Sequence, residues 1–208
     1  MSRKQKTRRG YHHGNLRAAL VEAALSLIGD KGVAGFTVAE AARKAGVSPA
    51  APYRHFKDRD ALLADVAIEG FSAFDKALKA AWNTGKPDAY TALITMGHAY
   101  LDFAKSEPAF YSAMFESGLE PPEYPDLRAA ADTAFETLRT AVELLIYEMP
   151  AETKPPALMV SLHIWAMSHG IASLFNRGDG ASRRQPIEPG ELFEANLMIY
   201  LRGLGLEI

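Results

Sequence analysis

The chain of 208 residues contains no cysteine. This absence excludes disulfide bonds, thiolate metal sites and a cysteine nucleophile, and it is compatible with a reducing compartment. The basic N-terminal stretch MSRKQKTRRG is not followed by the apolar segment that a secretory signal requires. We therefore predict a cytoplasmic protein, and we predict neither a cofactor nor a metal.

The sequence also lacks the sustained apolar–polar alternation that marks half-buried β-strands. Apolar residues instead recur about every 3.6 residues, which predicts an all-α fold. Residues 155–176 carry no formal charge and are numerous enough to span a bilayer. Three serines, two histidines and a glycine interrupt this segment, so we favour a helix buried in a core or in a dimer interface.

Charge of the two signs is unevenly distributed along the chain. Residues 1–60 contain twelve Lys and Arg against five Asp and Glu, a balance of +7, whereas the remainder has a balance of −9. This division predicts a head that binds a polyanion and a body that the same polyanion repels. A basic tail on an acidic protein would explain the first nine residues but not the cations after residue 40.

The first 46 residues predict two helices. The first would begin at an N-cap residue, Asn15, and end at Gly32, where helices commonly have a glycine. Thr37 and Glu40 have the spacing of a capping box, which predicts the start of a second, short helix. That helix would stop at Gly46.

The next stretch reads VSPAAPYRHFKDRDALL. Ser48 is an N-cap type and Pro49 suits the first position of a helix. Pro52 would remove the first hydrogen bond inside that helix, so we expect the helix to be short and to end near Phe56. Asp58 then predicts the start of a long amphipathic helix.

A short helix, a glycine turn and a second short helix form a helix-turn-helix, whose second helix enters the major groove of DNA. Pro49, Ala50 and Ala51 are small enough for this helix to approach base edges closely. Such an apolar tip would read thymine methyl groups rather than donor and acceptor patterns. Arg54 would contact a guanine, with a phosphate contact as the alternative.

The stretch Gly85-Lys86-Pro87 predicts a break before a second helical region. Further helices are predicted at residues 88–105, at 108–116 with Ser106 as the cap, at 126–149, at 156–177 and at 188–202. No zinc-protease, phosphate-loop, dinucleotide or nucleophile-elbow motif occurs, and His163 and His169 do not share a helix face for joint metal binding. These observations disfavour an enzyme.

The residues FTVAEAARKAGVSPAAPYRHFKDRDALL (36–63) and GNLRAALVEAALSLIGDKG (14–32) resemble the DNA-binding domain of the TetR family of bacterial transcriptional regulators. The resemblance rests on the Thr cap, the Gly-Val-Ser turn, the Tyr-x-x-Phe pair and the following Leu-Leu helix. Farther along, HIWAMSHG (163–170) is similar to the Trp-His-Gly signature of one group of TetR-type C-terminal domains.

The resemblance implies DNA contacts from ten residues, namely Thr37, Ser48, Pro49, Ala50, Ala51, Tyr53, Arg54, His55, Lys57 and Arg59. Thr37 and Ser48 would also cap their helices. Lys57 and Arg59 would bind phosphate, as cations beside a helix N-terminus commonly do. For Phe56 we favour buried packing, whereas the alternatives of burial and a solvated hydroxyl remain open for Tyr53.

In this family the C-terminal helices form a dimer interface and an effector cavity. For the interface we predict Ala166, Gly170, Ser173, Phe193, Leu197, Tyr200 and Leu201. For the cavity we predict Tyr100, Phe103, Phe110, Met114, Phe115, Phe135, Leu138, Leu162, Trp165 and His169. Apolar lining with few polar groups is typical of ligand sites. For any one of these residues alone, however, packing in the core is the commoner role, and for His169 we favour a hydrogen-bonded structural role.

The resulting hypothesis is a homodimeric repressor with a basic arm (1–14), a helix-turn-helix domain (15–60) and a helical effector-binding and dimerisation domain (61–208), joined by a long helix at about 58–83. It would bind a palindromic operator on double-stranded DNA and respond to a small, largely apolar effector. The arm could reach a neighbouring groove or be disordered. The alternatives are a helical interaction module without DNA binding and, third, an enzyme.

Overall fold

The computed structural model describes residues 16–147, 149–176 and 186–206. Over these residues the chain is helical and contains no β-strand. The eight helices are α1 (Leu16–Lys31), α2 (Val38–Lys44), α3 (Arg59–Trp82), α4 (Ala89–Ser106), α5 (Pro108–Phe115), α6 (Pro125–Leu145), α7 (Ala157–Asn176) and α8 (Pro189–Gly203). The predicted all-α fold is confirmed. The basic arm and the cap at Asn15 lie outside the described residues.

Local sequence signals set the ends of the helices in the head. Gly32 has a φ of 77° and Gly46 a φ of 73°, the left-handed conformation that lets the chain leave α1 and α2. At the start of α2, Oγ1 of Thr37 accepts a hydrogen bond from the Glu40 amide at 3.2 Å, and the Glu40 carboxylate accepts one from the Thr37 amide at 3.1 Å. The predicted capping box is therefore present. The Asp58 carboxylate likewise caps α3, accepting from the Ala61 amide at 2.8 Å.

The long helix α3 is the axis of the molecule. Its first half packs on α1, and along its length it contacts α4, α5 and α6. The buried stripe of this helix is continuous from Leu62 through Phe71 to Leu78. One apolar core therefore runs from the head into the second region, so the two regions share a helix rather than a linker.

Two glycines allow close helix packing in the second region. A Cβ on Gly97 of α4 would lie 1.9 Å from Cε1 of Phe193 in α8, so the ring occupies the space that a side chain would need. A Cβ on Gly70 of α3 would lie 2.9 Å from the sulfur of Met114 in α5. These contacts place α5 and α8 directly against the two central helices.

Some boundaries differ from the predicted ones. Ser106 belongs to α4 and does not cap α5, whose N-cap position is Glu107 with no side-chain cap. Helix α6 ends at Leu145 rather than near Met149. By length and composition α7 could cross a membrane, although 33% of its most apolar 18-residue window is buried inside the protein.

Candidate nucleic-acid interface and ligand cavity

The segment between α2 and α3 is a tight turn, and the predicted short helix is not formed. Its only helical part is a single 3-10 turn, Pro52–Arg54, in which the amides of His55 and Phe56 both donate to the Pro52 carbonyl at 2.9 and 3.0 Å. Pro52 has no N–H to donate to the Ser48 carbonyl, which instead accepts a hydrogen bond from the Ala51 amide at 3.0 Å. The expected cap at Ser48 is accordingly absent.

This turn is held by two buried residues and presents the residues between them. Pro52 and Phe56 are buried against the head core, whereas Tyr53 is 61% exposed and Arg54 and His55 are exposed. The burial of Phe56 is as expected, and Tyr53 proves to be solvated. Pro52 and Phe56 thus anchor the turn, and the side chains between them are exposed to solvent.

Some of the residues near this turn are exposed to solvent, and others are hydrogen-bonded within the protein. Pro49 and Ala50 are exposed and Ala51 is half-buried, so the small-residue tip is accessible. The hydroxyl of Thr37 is already used, because it lies 3.1 Å from the Glu40 carboxylate as part of the capping box. Hydrogen bonds from Lys31 and Thr37 lower the pKa of that carboxyl. Thr37 therefore serves the start of α2.

Lys57 and Arg59, next to the start of α3, also differ in how far their side chains are bound to the rest of the protein. Lys57 is 67% exposed, and its ammonium lies 3.8 Å from Asp58 and 5.5 Å from the Tyr124 ring centroid. Exposed contacts of this kind are weak, so a phosphate can compete with them. Arg59 instead donates to the carbonyl oxygens of Val33 and Phe36, and its guanidinium lies 4.7 Å from the Phe36 ring centroid. Two of its three guanidinium nitrogens thus bind the loop between α1 and α2, and Nη1 lies 2.8 Å from the Asp60 carboxylate. The phosphate contact of Arg59 stays a prediction.

The second region encloses an apolar cavity of about 340 Å³. It lies between α3, α4, α5, α6 and α7. Its lining residues are Phe71, Phe74, Leu78, Tyr100, Phe115, Ala131, Asp132, Ala134, Phe135, Leu138, Leu162 and Trp165. Leu162 and Trp165 are 44% and 37% exposed, so the mouth opens between α6 and α7.

Six of the ten residues predicted for the cavity line it, namely Tyr100, Phe115, Phe135, Leu138, Leu162 and Trp165. The others belong to the surrounding core. Phe103 packs on Phe74 with ring centroids 5.1 Å apart. Phe110 and Met114 fill the space beside Gly70. His169 lies behind the wall, as the structural interpretation of this residue anticipated.

His169 joins three helices through one ring nitrogen. The hydroxyls of Tyr100 on α4 and Tyr111 on α5 each lie 2.9 Å from its Nδ1. The imidazole stacks on the Tyr111 ring at 5.7 Å and 23°. Burial lowers the pKa of His169, which favours a neutral ring that accepts a phenolic hydrogen bond. Tyr100 also lines the cavity, so the cavity wall and α5 are connected through this imidazole.

The predicted dimer interface is only partly available to a partner. Phe193, Leu197 and Leu201 are 0% exposed in the single chain, where they pack inward from α8, so their assignment to the interface is corrected. Ala166 and Gly170 of α7 are exposed. Ser173 and Tyr200 are half-buried, and the Tyr200 ring lies 5.0 Å from the ring of His163.

An apolar surface remains on the outer side of α7 and α8. Large exposed side chains there are Leu158, Met159, Leu162, Leu174 and Ile199. A Cβ on Gly170 would meet no atom within 4 Å, so this part of α7 is open. Surfaces of this kind commonly mark an interaction site. Within the described parts of the chain, no three His, Asp or Glu side chains are grouped as metal ligands would be.

Two family models match the chain. One, described as bacterial regulatory proteins of the tetR family, matches residues 20–66, and one for the tetracycline repressor-like C-terminal domain matches residues 93–199. The chain belongs to the TetR family. Residues 20–66 are therefore the N-terminal domain of this family of bacterial regulatory proteins. The Trp-His-Gly subgroup stays a prediction.

Relatives match parts of this TetR-family chain. The HTH-type transcriptional regulator YobS of Bacillus subtilis strain 168 is 29% identical over 100 residues, which are 48% of this chain and 51% of that protein. The HTH-type transcriptional regulator BetI of Rhizobium meliloti strain 1021 is 51% identical over 47 residues, 23% of each protein. The chain thus spans about half the length of the first of these curated relatives and less of the second.

Solved structures match over nearly the whole TetR-family chain. A protein of unknown function from Rhodococcus sp. RHA1 is 30% identical with a TM-score of 0.77, covering 96% of this chain and 100% of that one. The TetR family transcriptional regulator PfmR from Thermus thermophilus is 21% identical with a TM-score of 0.65, covering 91% and 99%. The second likeness concerns the fold alone.

Half of the cavity wall escaped prediction. Phe71, Phe74 and Leu78 come from α3, which the sequence predicts only as a long amphipathic helix. The regular spacing of large apolar side chains is visible in the sequence. It does not show which of these side chains line a cavity and which pack against another helix. Ala131, Asp132 and Ala134 lie on α6, where alanine carries no signal of a site.

Proposed function

We propose that this regulator is a cytoplasmic homodimeric repressor that binds a palindromic operator and is released by a small effector bound in the cavity. We propose no catalytic role. The observation that supports DNA binding is the turn itself. Two buried anchors, Pro52 and Phe56, hold Tyr53, Arg54 and His55 outward beside the exposed Lys57. Such a turn can enter a groove while phosphate contacts fix its register.

The proposed contacts divide by chemistry. Arg54 would donate to a guanine, while Pro49, Ala50 and Ala51 would pack on thymine methyl groups. Lys57 would bind phosphate, and Tyr53 and His55 would contact the sugar-phosphate backbone. A phosphate contact of Arg59 would compete with the bonds that its guanidinium makes to the loop between α1 and α2.

The proposed dimer uses the outer surface of α7 and α8. Met159, Ala166 and Gly170 lie on one side of α7, where small residues allow a partner helix to approach closely. On α8, Ile199 is 68% exposed. A second copy on this surface would cover apolar area that the single chain leaves in water, and two heads would then face successive major grooves.

The proposed coupling between effector and DNA passes through α5. Phe115 of this helix lines the cavity, and Tyr111 is bonded to His169. The same helix packs on α1 and on the 3-10 turn Val33–Gly35 of the head, and a Cβ on Gly29 would lie 3.8 Å from Cβ of Ala109. An effector that fits one position of α5 better than the other would shift the DNA affinity by that difference.

Fluorescence anisotropy with duplexes from the region upstream of the coding sequence tests DNA binding. We expect salt-dependent association, and Lys57→Ala should reduce the slope of log K against log salt by about one. Lys76→Ala is the control, since it removes an exposed cation about 25 Å along α3 from the head. If no duplex binds at moderate salt, the chain is an interaction module and the repressor proposal is wrong.

A further inference from the structure

Over the residues that the structure describes, the lining of the cavity contains an acidic side chain but no basic one. Among the described residues, Asp132 is the one ionisable carboxylate in the lining, and no Lys or Arg contributes to it. The nearby cations face outward, where Lys79 pairs with Asp75 at 2.6 Å and Arg128 with Asp132 at 3.6 Å. Both Arg128 and Asp132 are largely exposed, so this ion pair is weak and can yield to a competitor.

As far as the structure describes the chain, the inner wall of the cavity supplies no cation to a ligand either. Burial lowers the pKa of His169, which lies behind this wall, and so favours a neutral imidazole. The Tyr100 hydroxyl, which would be the natural donor to a bound anion, lies 2.9 Å from Nδ1 of His169. A carboxylate or phosphate entering this cavity would therefore lose its hydration without gaining a cationic partner, which is strongly unfavourable.

Aromatic rings form most of the remaining surface. Phe71, Phe74, Tyr100, Phe115, Phe135 and Trp165 all line the cavity. They meet mainly at steep angles, as in the Phe74–Tyr100 pair at 85° and the Phe135–Trp165 pair at 76°. Rings set at such angles present both edges and faces to the enclosed space, and ring faces attract cations within about 6 Å.

If the cavity is the effector site, as proposed above, its chemistry selects among ligand classes. We propose that it takes a small aromatic ligand that carries a positive charge, an organic ammonium, and that it discriminates against carboxylates. The rings would pack on the aromatic body and on the cationic group, and Asp132 at the mouth would attract the charge. A volume of about 340 Å³ suits a ligand of two or three rings.

Isothermal titration calorimetry with three probes that share a naphthylmethyl group and differ in charge tests this inference. The probes are (2-naphthylmethyl)trimethylammonium, 2-naphthylmethanol and 2-naphthylacetate. We expect the ammonium to bind about tenfold or more tightly than the acetate, with the alcohol between them. Asp132→Asn should weaken ammonium binding about threefold and leave the alcohol unchanged. Glu136→Gln, one turn farther along α6 and outside the lining, is the matched control.

Equal or tighter binding of the acetate would overturn the proposal, and so would the failure of all three probes to bind. An Asp132→Asn variant that loses affinity for the alcohol as strongly as for the ammonium would also contradict it. The anisotropy assay without probe reports separately on the regulator itself. DNA binding with the wrong charge preference would refute the ligand class alone, whereas charge selection without DNA binding would refute the repressor alone.

Discussion

Arg54 is the residue of the exposed turn whose side chain can read a base. Its replacement in Arg54→Ala should weaken binding to the operator by about 1–3 kcal/mol and relax the preference at one base pair. Anisotropy over a set of single-substitution operators measures both effects. Equal weakening on every duplex would instead show that Arg54 contacts a phosphate.

The burial of His169 predicts how the free energy of unfolding depends on pH. Burial lowers the pKa of His169, so the unfolded chain binds more protons than the native chain at mildly acidic pH. The free energy of unfolding should therefore fall as the pH drops below the ordinary histidine value of about 6.5. Urea unfolding at pH 7.5 and 5.5 would show this loss, and His169→Gln should reduce the difference between the two pH values. An unchanged difference would place the titrating group elsewhere.

At the scale of helices, the contact between α4 and α8 depends on Gly97. The Phe193 ring occupies the place of a side chain at this position, so Gly97→Ala forces the two helices apart. We expect a loss of about 1–3 kcal/mol in the free energy of unfolding, measured by urea titration. Gly203→Ala at the end of α8 should lose little, because a Cβ there meets no atom within 4 Å. Similar losses in both variants would show a general cost of replacing glycine.

Helices were predicted where the sequence contains the signal that starts or ends them. Thr37 with Glu40, Asp58 and Gly32 each act through bonds or φ angles within one turn, and each has the predicted role. The segment after Gly46 failed because one missing N–H at Pro52 outweighed the cap and the proline that precede it. Local pattern is decisive only where no second local effect opposes it.

Partners across the fold could not be predicted in the same way. The apolar stripe of α8 was correctly recognised, but Phe193, Leu197 and Leu201 pack on their own chain rather than on a second copy. An apolar stripe on a helix indicates that this side of the helix is buried. It does not show whether the same chain or a second copy buries it. The same holds for the cavity, because the apolar face of α3 does not show which of its residues line an empty space.

The whole molecule adds a prediction about assembly. A Cβ on Gly170 would meet no atom within 4 Å, so a glutamate there has room to start toward solvent, and it would place a charge in the proposed dimer surface. Gly170→Glu should therefore keep the fold, shift the protein to monomers in sedimentation velocity and lose operator affinity. Ser72→Glu, at an exposed position of α3, is the control. A Gly170→Glu protein that stays dimeric would move the interface to another surface.

Arg59 has a mechanical consequence for the complete regulator. Its bonds to the Val33 and Phe36 carbonyls clamp the first residue of α3 to the loop of the head, so the head and this helix turn together. Arg59 lies about 18 Å along the helix from Phe71, where α3 borders the cavity. A tilt of about 10° around Phe71 would swing the head by about 3 Å. An effector bound in the proposed cavity would therefore act on the head through the position of α3.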